Sequence, residues 1–126
     1  MVRKRYVVRL HKLIRQEIDA LARKEGHLSG TYTSDAIEEI CRRVDVQNYE
    51  IHPDSETFHL KKGNSYKGET RANADKQMSI YLSDEAYNTV AQITDFLKEN
   101  IDKKIAVSFV IQDLLLHWLS QRQQHN

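Results

Sequence analysis

The chain has few of the residues that build disulfide scaffolds or membrane spans. Its one cysteine, Cys41, rules out a disulfide within the chain, which fits a reducing compartment. Nowhere do 18 apolar residues stand together, and the basic start MVRKR is followed by a short, interrupted apolar run. A membrane span and a secretory signal peptide are therefore not expected. We expect a cytoplasmic protein with no membrane partner.

Catalytic and metal-binding motifs are also scarce. The six histidines form no HxxxH pair and no cysteine–histidine cluster at zinc spacing, and neither GxxxxGK[ST] nor GxGxxG occurs. Cys41 falls on the apolar face of a predicted helix, which favours a buried thiol over a nucleophile. The adjacent pairs Glu38 with Glu39 and Asp84 with Glu85 suit capping and surface charge better than acid–base chemistry. The sequence predicts no enzyme, no cofactor and no metal.

The net charge is only +1, but the basic residues gather near the N-terminus. Residues 1–44 carry ten Lys and Arg against six Asp and Glu, and the first sixteen residues carry six against none. Residues 45–75 carry four against six, and residues 76–126 five against six. A solvated basic leader is one interpretation. The alternation of side chains within it favours a strand instead.

That alternation lies in KRYVVRLHK, residues 4–12. In a strand, one face is basic, with Arg5, Val7 and Arg9, and the other is apolar, with Tyr6, Val8 and Leu10. A single strand leaves its backbone groups unpaired, so a partner strand is required.

The order strand, helix, helix is predicted twice. After the first strand, LIRQEIDALARKEG has helical spacing and ends at Gly26, and YTSDAIEEICRRV has Thr31, Thr33 and Ser34 as candidate N-caps. In the second copy Met78, Ile80 and Leu82 alternate, Ser83 is a candidate N-cap, and AVSFVIQDLLLHWLSQR is apolar enough for a buried central helix. The copies superpose 72 residues apart in the strand and first helix, and 74 apart in the second helix.

The pattern divides the chain into three parts. Residues 1–44 form the first unit and residues 76–126 the second. Residues 45–75 read as a linker, with a candidate small hairpin around Pro53 in YEIHPDSETFHL and a second half rich in Gly, Asn, Ser and Lys.

Both units resemble the ribbon–helix–helix family of the MetJ/Arc type, most closely in SIYLSDEAYNTV and in the basic strand KRYVVRLHK. The resemblance implies a mainly α fold with a short β-ribbon, in which the two strands pair antiparallel over four helices. A single chain would then be a pseudo-dimer, as in TraY-type proteins. Exchange of units between chains and further association on DNA stay open.

The resemblance also implies a set of DNA contacts. A two-stranded ribbon fits the major groove of B-DNA. The base-reading candidates are Arg5, Val7, Arg9, Gln77, Ser79 and Tyr81. The phosphate-contact candidates are Arg3, Lys4, Thr33, Ser34, Lys76, Lys103, Lys104 and Ser108. Plain helix capping is the alternative for the hydroxyl residues, and a solvated loop is the alternative for Lys103 and Lys104.

These expectations lead to one function and two alternatives. We expect a sequence-specific binder of double-stranded DNA, a transcriptional repressor or autoregulator. The first alternative is a relaxosome accessory protein that binds a plasmid transfer origin beside a relaxase, as in conjugation. The second is a protein-interaction adaptor without DNA binding, suggested by the weakly basic second strand.

Overall fold

The computed structural model describes residues 2–57 and 77–124, which are mainly helical with one small antiparallel sheet. The elements are β1 Arg3–Val8, α1 Lys12–Glu25, α2 Ser29–Cys41, a 3-10 turn Val46–Asn48, α3 Asp54–Thr57, β2 Met78–Ser83, α4 Asp84–Asn100 and α5 Val107–Gln124. The predicted order of strand, helix and helix occurs twice. None of the described helices combines the length and the apolar character needed to cross a membrane.

The two strands form an antiparallel ribbon. Arg5 lies opposite Tyr81, and Val7 lies opposite Ser79. One face of the ribbon is turned into the core, with Val8, Leu10, Met78, Ile80 and Leu82 buried and Tyr6 partly buried. Burial of each large side chain is worth roughly 1.5–3 kcal/mol before entropy is counted, so the ribbon is held by the helices beneath it. The partner predicted for the first strand is confirmed.

Two helix boundaries follow from local chemistry that the sequence displays. Gly26 ends α1 at φ 75°, and the His27 N–H donates to the Ala22 carbonyl at 2.8 Å, which is the Schellman pattern. At the start of α4, the Ser83 hydroxyl accepts from the Ala86 N–H at 3.1 Å. Both predicted boundaries are confirmed.

The prediction for the start of α2 is wrong. The helix begins at Ser29, and its N-cap Leu28 makes no side-chain cap hydrogen bond. Thr33 and Ser34 lie inside the helix, where their hydroxyls donate to the carbonyls of Ser29 and Gly30, each at 2.8 Å. Ser and Thr favour N-caps, but inside a helix their hydroxyls can bond the carbonyl four residues back, as Thr33 and Ser34 do here.

Helix α5 lies at the centre of the core. Every residue from Phe109 to Leu116 is buried, together with Trp118 and Leu119. The predicted buried central helix is confirmed. The core is one cluster that draws apolar side chains from both strands and all four long helices.

The segment 45–57 packs on α5. Asp113, wholly buried on α5, accepts hydrogen bonds from the hydroxyls of Tyr49 and Ser55 and from the His52 N–H at 3.0 Å. The candidate hairpin is wrong in its described part, residues 49–57, because this part contains α3 and no strand. The rest of that hairpin and the second half of the predicted linker lie outside the described residues.

Candidate nucleic-acid interface

The face of the ribbon opposite the helices carries the predicted base-reading side chains. Val7 is 50% exposed and Tyr81 46% exposed. Arg5, Arg9 and Gln77 are exposed and Ser79 is partly buried. The alternation therefore gives the ribbon an apolar inner face and a polar outer face that carries Arg5. Arg9 comes one residue after the end of β1, and Gln77 comes one residue before the start of β2.

A hydrogen bond joins the two strands on the outer face. The Arg5 Nε donates to the Ser79 Oγ at 2.8 Å, across the ribbon. In the described part of the chain neither Arg5 nor Arg9 forms an ion pair with a carboxylate. Both positive charges are therefore exposed to solvent and are not neutralised by an acidic side chain there.

Strand β2 is fixed to α2 through its backbone. The Tyr81 N–H donates to the Ser34 Oγ at 2.8 Å. A Cβ atom on Gly30 would stand 3.3 Å from the Ser79 carbonyl oxygen, so the first turn of α2 approaches β2 closely at a residue without a side chain. These contacts hold the outer face of β2 in a defined position.

The second helix of each copy also bonds the strand end of the other copy. Glu38 of α2 accepts from the Ser83 N–H at 2.7 Å and from the Ser83 hydroxyl at 2.9 Å. Gln112 of α5 accepts from the His11 N–H at 2.6 Å. Glu38 and Gln112 are 3% and 0% exposed, so each of them supplies a buried acceptor where a strand passes into a helix.

The basic residues at the end of the ribbon have acidic neighbours. Arg3 pairs with Asp35 of α2 at 2.8 Å, and Lys4 pairs with Asp84 of α4 at 3.2 Å. Three of these side chains are 60–70% exposed and Arg3 is 31% exposed, so the pairs stabilise the fold little and leave both cations at the surface.

The other phosphate-contact candidates separate into two groups. Lys103 and Lys104 are exposed in the turn before α5, and Ser108 is partly buried in its first turn. Thr33 and Ser34 are each 1% exposed, and both hydroxyls are engaged inside the protein. Their burial removes these two side chains from direct contact with a phosphate, which corrects that expectation. Lys76 lies outside the described residues.

Sequence reasoning missed three buried polar residues that hold elements of the fold together: Glu38 and Gln112 at the strand–helix junctions, and Asp113 against the segment 45–57. Glu38, Gln112 and Asp113 interrupt otherwise apolar helix faces, and the pair QD within VIQDLLLHWL was a visible signal. Buried polar groups are nearly always hydrogen-bonded, so their position within an apolar stripe indicates a structural partner. Which backbone donor each would meet depends on the tertiary fold, and the sequence did not contain that information.

Other reactive groups lie away from the ribbon face. Burial raises the pKa of the Cys41 thiol to about 12, and nearby Glu38 adds to the effect. The thiol donates to the Ala86 carbonyl at 3.7 Å. Within residues 2–57 and 77–124, no group of three or more His, Cys, Asp and Glu side chains is arranged to hold a metal ion.

The Asp113 cluster contains two histidines. His117 lies with its Nε2 2.8 Å from the Glu50 carbonyl and 3.4 Å from the Asp113 carboxylate, and its ring packs edge-on against His52. Burial lowers the pKa of His117, but the bonds to Asp113 and Glu50 together raise it above its ordinary value. The cluster fastens the segment 45–57 to α5 and contacts no residue of the ribbon face.

The chain was compared with known families, curated proteins and solved structures. No family model, no curated protein and no solved structure matches this chain.

Proposed function

We propose that this chain is a sequence-specific double-stranded DNA-binding protein that reads the major groove with the outer face of its β1–β2 ribbon. In this proposal the two copies are ribbon–helix–helix units that pair within one chain as a pseudo-dimer. The observation that carries it is the intrachain antiparallel ribbon, which is buried on one side and exposed on the other with Arg5. Arg9 is exposed one residue beyond the end of β1.

The strand register supports a two-fold relation between the copies. The repeat offset in the strands is 72 residues, so the counterpart of Val7 is Ser79, and these two residues lie opposite each other. The counterpart of Arg9 is Tyr81, and Tyr81 lies opposite Arg5. A two-fold axis through the Val7–Ser79 pair would produce this register.

The buried polar contacts obey the same relation. Adding 74 to Glu38 gives Gln112, and adding 72 to His11 gives Ser83. Glu38 accepts from the Ser83 N–H, and Gln112 accepts from the His11 N–H, at 2.7 and 2.6 Å. In a two-fold arrangement each copy makes the same contact to the other, so these two equivalent hydrogen bonds support an intramolecular pseudo-dimer.

The chemistry of the outer face suits base recognition. A two-stranded ribbon fits the major groove, where arginine can bond guanine with two donors and glutamine can bond adenine. Arg5, Arg9 and Gln77 supply these groups, and Val7 can contact a thymine methyl. Arg3, Lys4, Lys103 and Lys104 are the surface cations we assign to phosphates, which position a protein without reading sequence.

We assign the protein to transcriptional repression or autoregulation. A specific observation also favours accessory binding at a plasmid transfer origin beside a relaxase. Because the ribbon forms within one chain, the outer positions of its two strands differ, with Arg5 and Val7 on β1 and Ser79 and Tyr81 on β2. Arg9 and Gln77 stand next to the strand ends. Such a reader suits a site that is not a palindrome. Neighbouring genes distinguish the roles, since a relaxase or secretion gene alongside points to transfer.

The test is selection of bound duplexes from a random-sequence pool, followed by binding measurements across a salt series. We expect one enriched sequence, whose affinity falls steeply with salt and whose preference over scrambled DNA is lost in Arg5→Ala/Arg9→Ala. No enrichment and no binding at low salt would refute DNA binding and favour the adaptor.

A matched control removes the same charge elsewhere. Arg23 and Lys24 are exposed in the last turn of α1, about 17 Å along that helix from its start at Lys12. Arg23→Ala/Lys24→Ala also removes two positive charges. We expect this variant to keep the sequence preference, so equal loss in both variants would indicate a general charge effect.

A further inference from the structure

Arg5 lies on the outer face of the ribbon, Arg9 follows the end of β1, and the surroundings of the two arginines differ. The Arg5 Nε donates to the Ser79 Oγ at 2.8 Å. Within the described residues, Arg9 has no hydrogen-bonding partner for its side chain. Arg5 lies within the paired part of β1, whereas Arg9 follows its last residue, Val8.

The position of Ser79 makes this contact possible. Ser79 lies opposite Val7, so it is the diagonal neighbour of Arg5 on the same face. Diagonal neighbours in an antiparallel pair are about 7–8 Å apart, a distance that an arginine side chain spans. The guanidinium group is therefore drawn across the ribbon, toward the middle of the outer face.

The acceptor is itself held in place. The Ser79 carbonyl lies against Gly30 in the first turn of α2, and the Tyr81 N–H is bonded to the Ser34 hydroxyl. Ser34 is 1% exposed inside α2. A side chain that is bonded to a fixed element loses less freedom on binding than a free one.

The bond leaves the recognition end of Arg5 available. Arginine has five N–H donors, and the bond to Ser79 uses the one on Nε. The four donors on the two terminal nitrogens remain. These two nitrogens can bond the O6 and N7 acceptors of a guanine. Because the guanidinium group is planar, a bond that fixes its Nε also restricts the orientation of the two terminal nitrogens.

We infer that Ser79 is a positioning residue that aims the Arg5 guanidinium at a guanine in the major groove, and that it does not read a base itself. This inference rests on the proposed function. It assigns the sharper base preference to Arg5, whereas Arg9, which has no such contact among the residues that the structure describes, selects its base less strictly.

The test measures base preference position by position. All single-base variants of the selected duplex are bound to wild type, Arg5→Ala, Ser79→Ala, Ser79→Thr and Arg5→Ala/Ser79→Ala. Arg5→Ala identifies the guanine in question. There we expect Ser79→Ala to reduce discrimination about three- to tenfold, the range for loss of one hydrogen bond. Ser79→Thr keeps a hydroxyl and should retain the preference.

Three further readouts separate positioning from other roles. The salt dependence of Ser79→Ala should equal that of wild type, because no charge is removed. Its thermal unfolding should be unchanged within a few degrees. In the Arg5→Ala background, Ser79→Ala should have no further effect at any base.

The contrary results are distinct. If Ser79→Ala keeps the wild-type preference for that guanine, the inference is overturned and the proposed function stands. An added loss in the Arg5→Ala background would also overturn it, since Ser79 would then read a base directly. Wild-type protein without any base preference would overturn the proposed function and the inference together.

Discussion

Removal of the Glu38 side chain tests whether the two copies are joined by their buried polar contacts. Glu38→Ala deletes an acceptor that is 3% exposed and that serves both the N–H and the hydroxyl of Ser83. Two donors at the junction of β2 and α4 would be left without this acceptor.

The expected magnitude follows from these two bonds. A hydrogen bond to a charged group contributes about 1.5–3 kcal/mol, so two bonds amount to about 3–6 kcal/mol. Burying the carboxylate costs part of that sum. We therefore expect a loss of about 3 kcal/mol in the free energy of unfolding, equivalent to a melting temperature about 10 °C lower for a chain of this size.

Urea unfolding followed by circular dichroism measures this loss. Glu38→Gln retains one acceptor oxygen and should lose less, about 1 kcal/mol. Glu17→Ala removes an exposed carboxylate from α1 and should change stability by less than about 0.5 kcal/mol. A loss below about 1 kcal/mol for Glu38→Ala would refute the view that this contact holds the copies together.

Three further changes have defined outcomes. The raised pKa of His117 means that its protonated form stabilises the fold, fully below the unfolded-state pKa of about 6.5 and not at all once pH exceeds the folded-state value. His117→Gln should therefore cost more stability in urea unfolding at about pH 5.5 than at about pH 9, and an equal cost would contradict this. Gly26→Ala should cost about 1 kcal/mol, because φ is 75° and no neighbour crowds the site; an unchanged urea midpoint would contradict this. The minimal DNA site for one monomer should contain two unlike half-sites, as footprinting can measure, and a strict palindrome would contradict the intrachain ribbon as the reader.

The elements that sequence predicted well depend on local chemistry. Alternation placed both strands and their buried faces, Gly26 ended α1, and Ser83 began α4. Each of these signals involves residues within a few positions of one another. The partner of the first strand was also predicted, because only one other segment had the same alternation ahead of a capped helix.

The errors involve residues whose role depends on distant contacts. Ser34 looked like an N-cap, but its hydroxyl lies inside α2 and accepts from Tyr81 of β2. The segment that starts at Tyr49 looked like a hairpin, but Asp113, far along the chain, fixes it to α5. In both cases the local sequence allowed two structures, and a long-range hydrogen bond selected one.

The candidate surface shows the same division. The exposure of Arg5, Arg9 and Tyr81 followed from alternation alone. The bond from Arg5 to Ser79 could not be predicted, because it depends on the register of two strands more than 70 residues apart. Register depends on the tertiary fold, because a shift of the strand pairing by one residue would move every side chain to the other face.

The most direct test of major-groove reading by the ribbon is methylation interference on the selected duplex. A methyl group on guanine N7 lies in the major groove, and one on adenine N3 lies in the minor groove. We predict that N7 methylation blocks wild-type binding at specific guanines, and that Arg5→Ala becomes indifferent to one of them. Interference only at adenine N3, or the same guanine pattern in both proteins, would contradict the account.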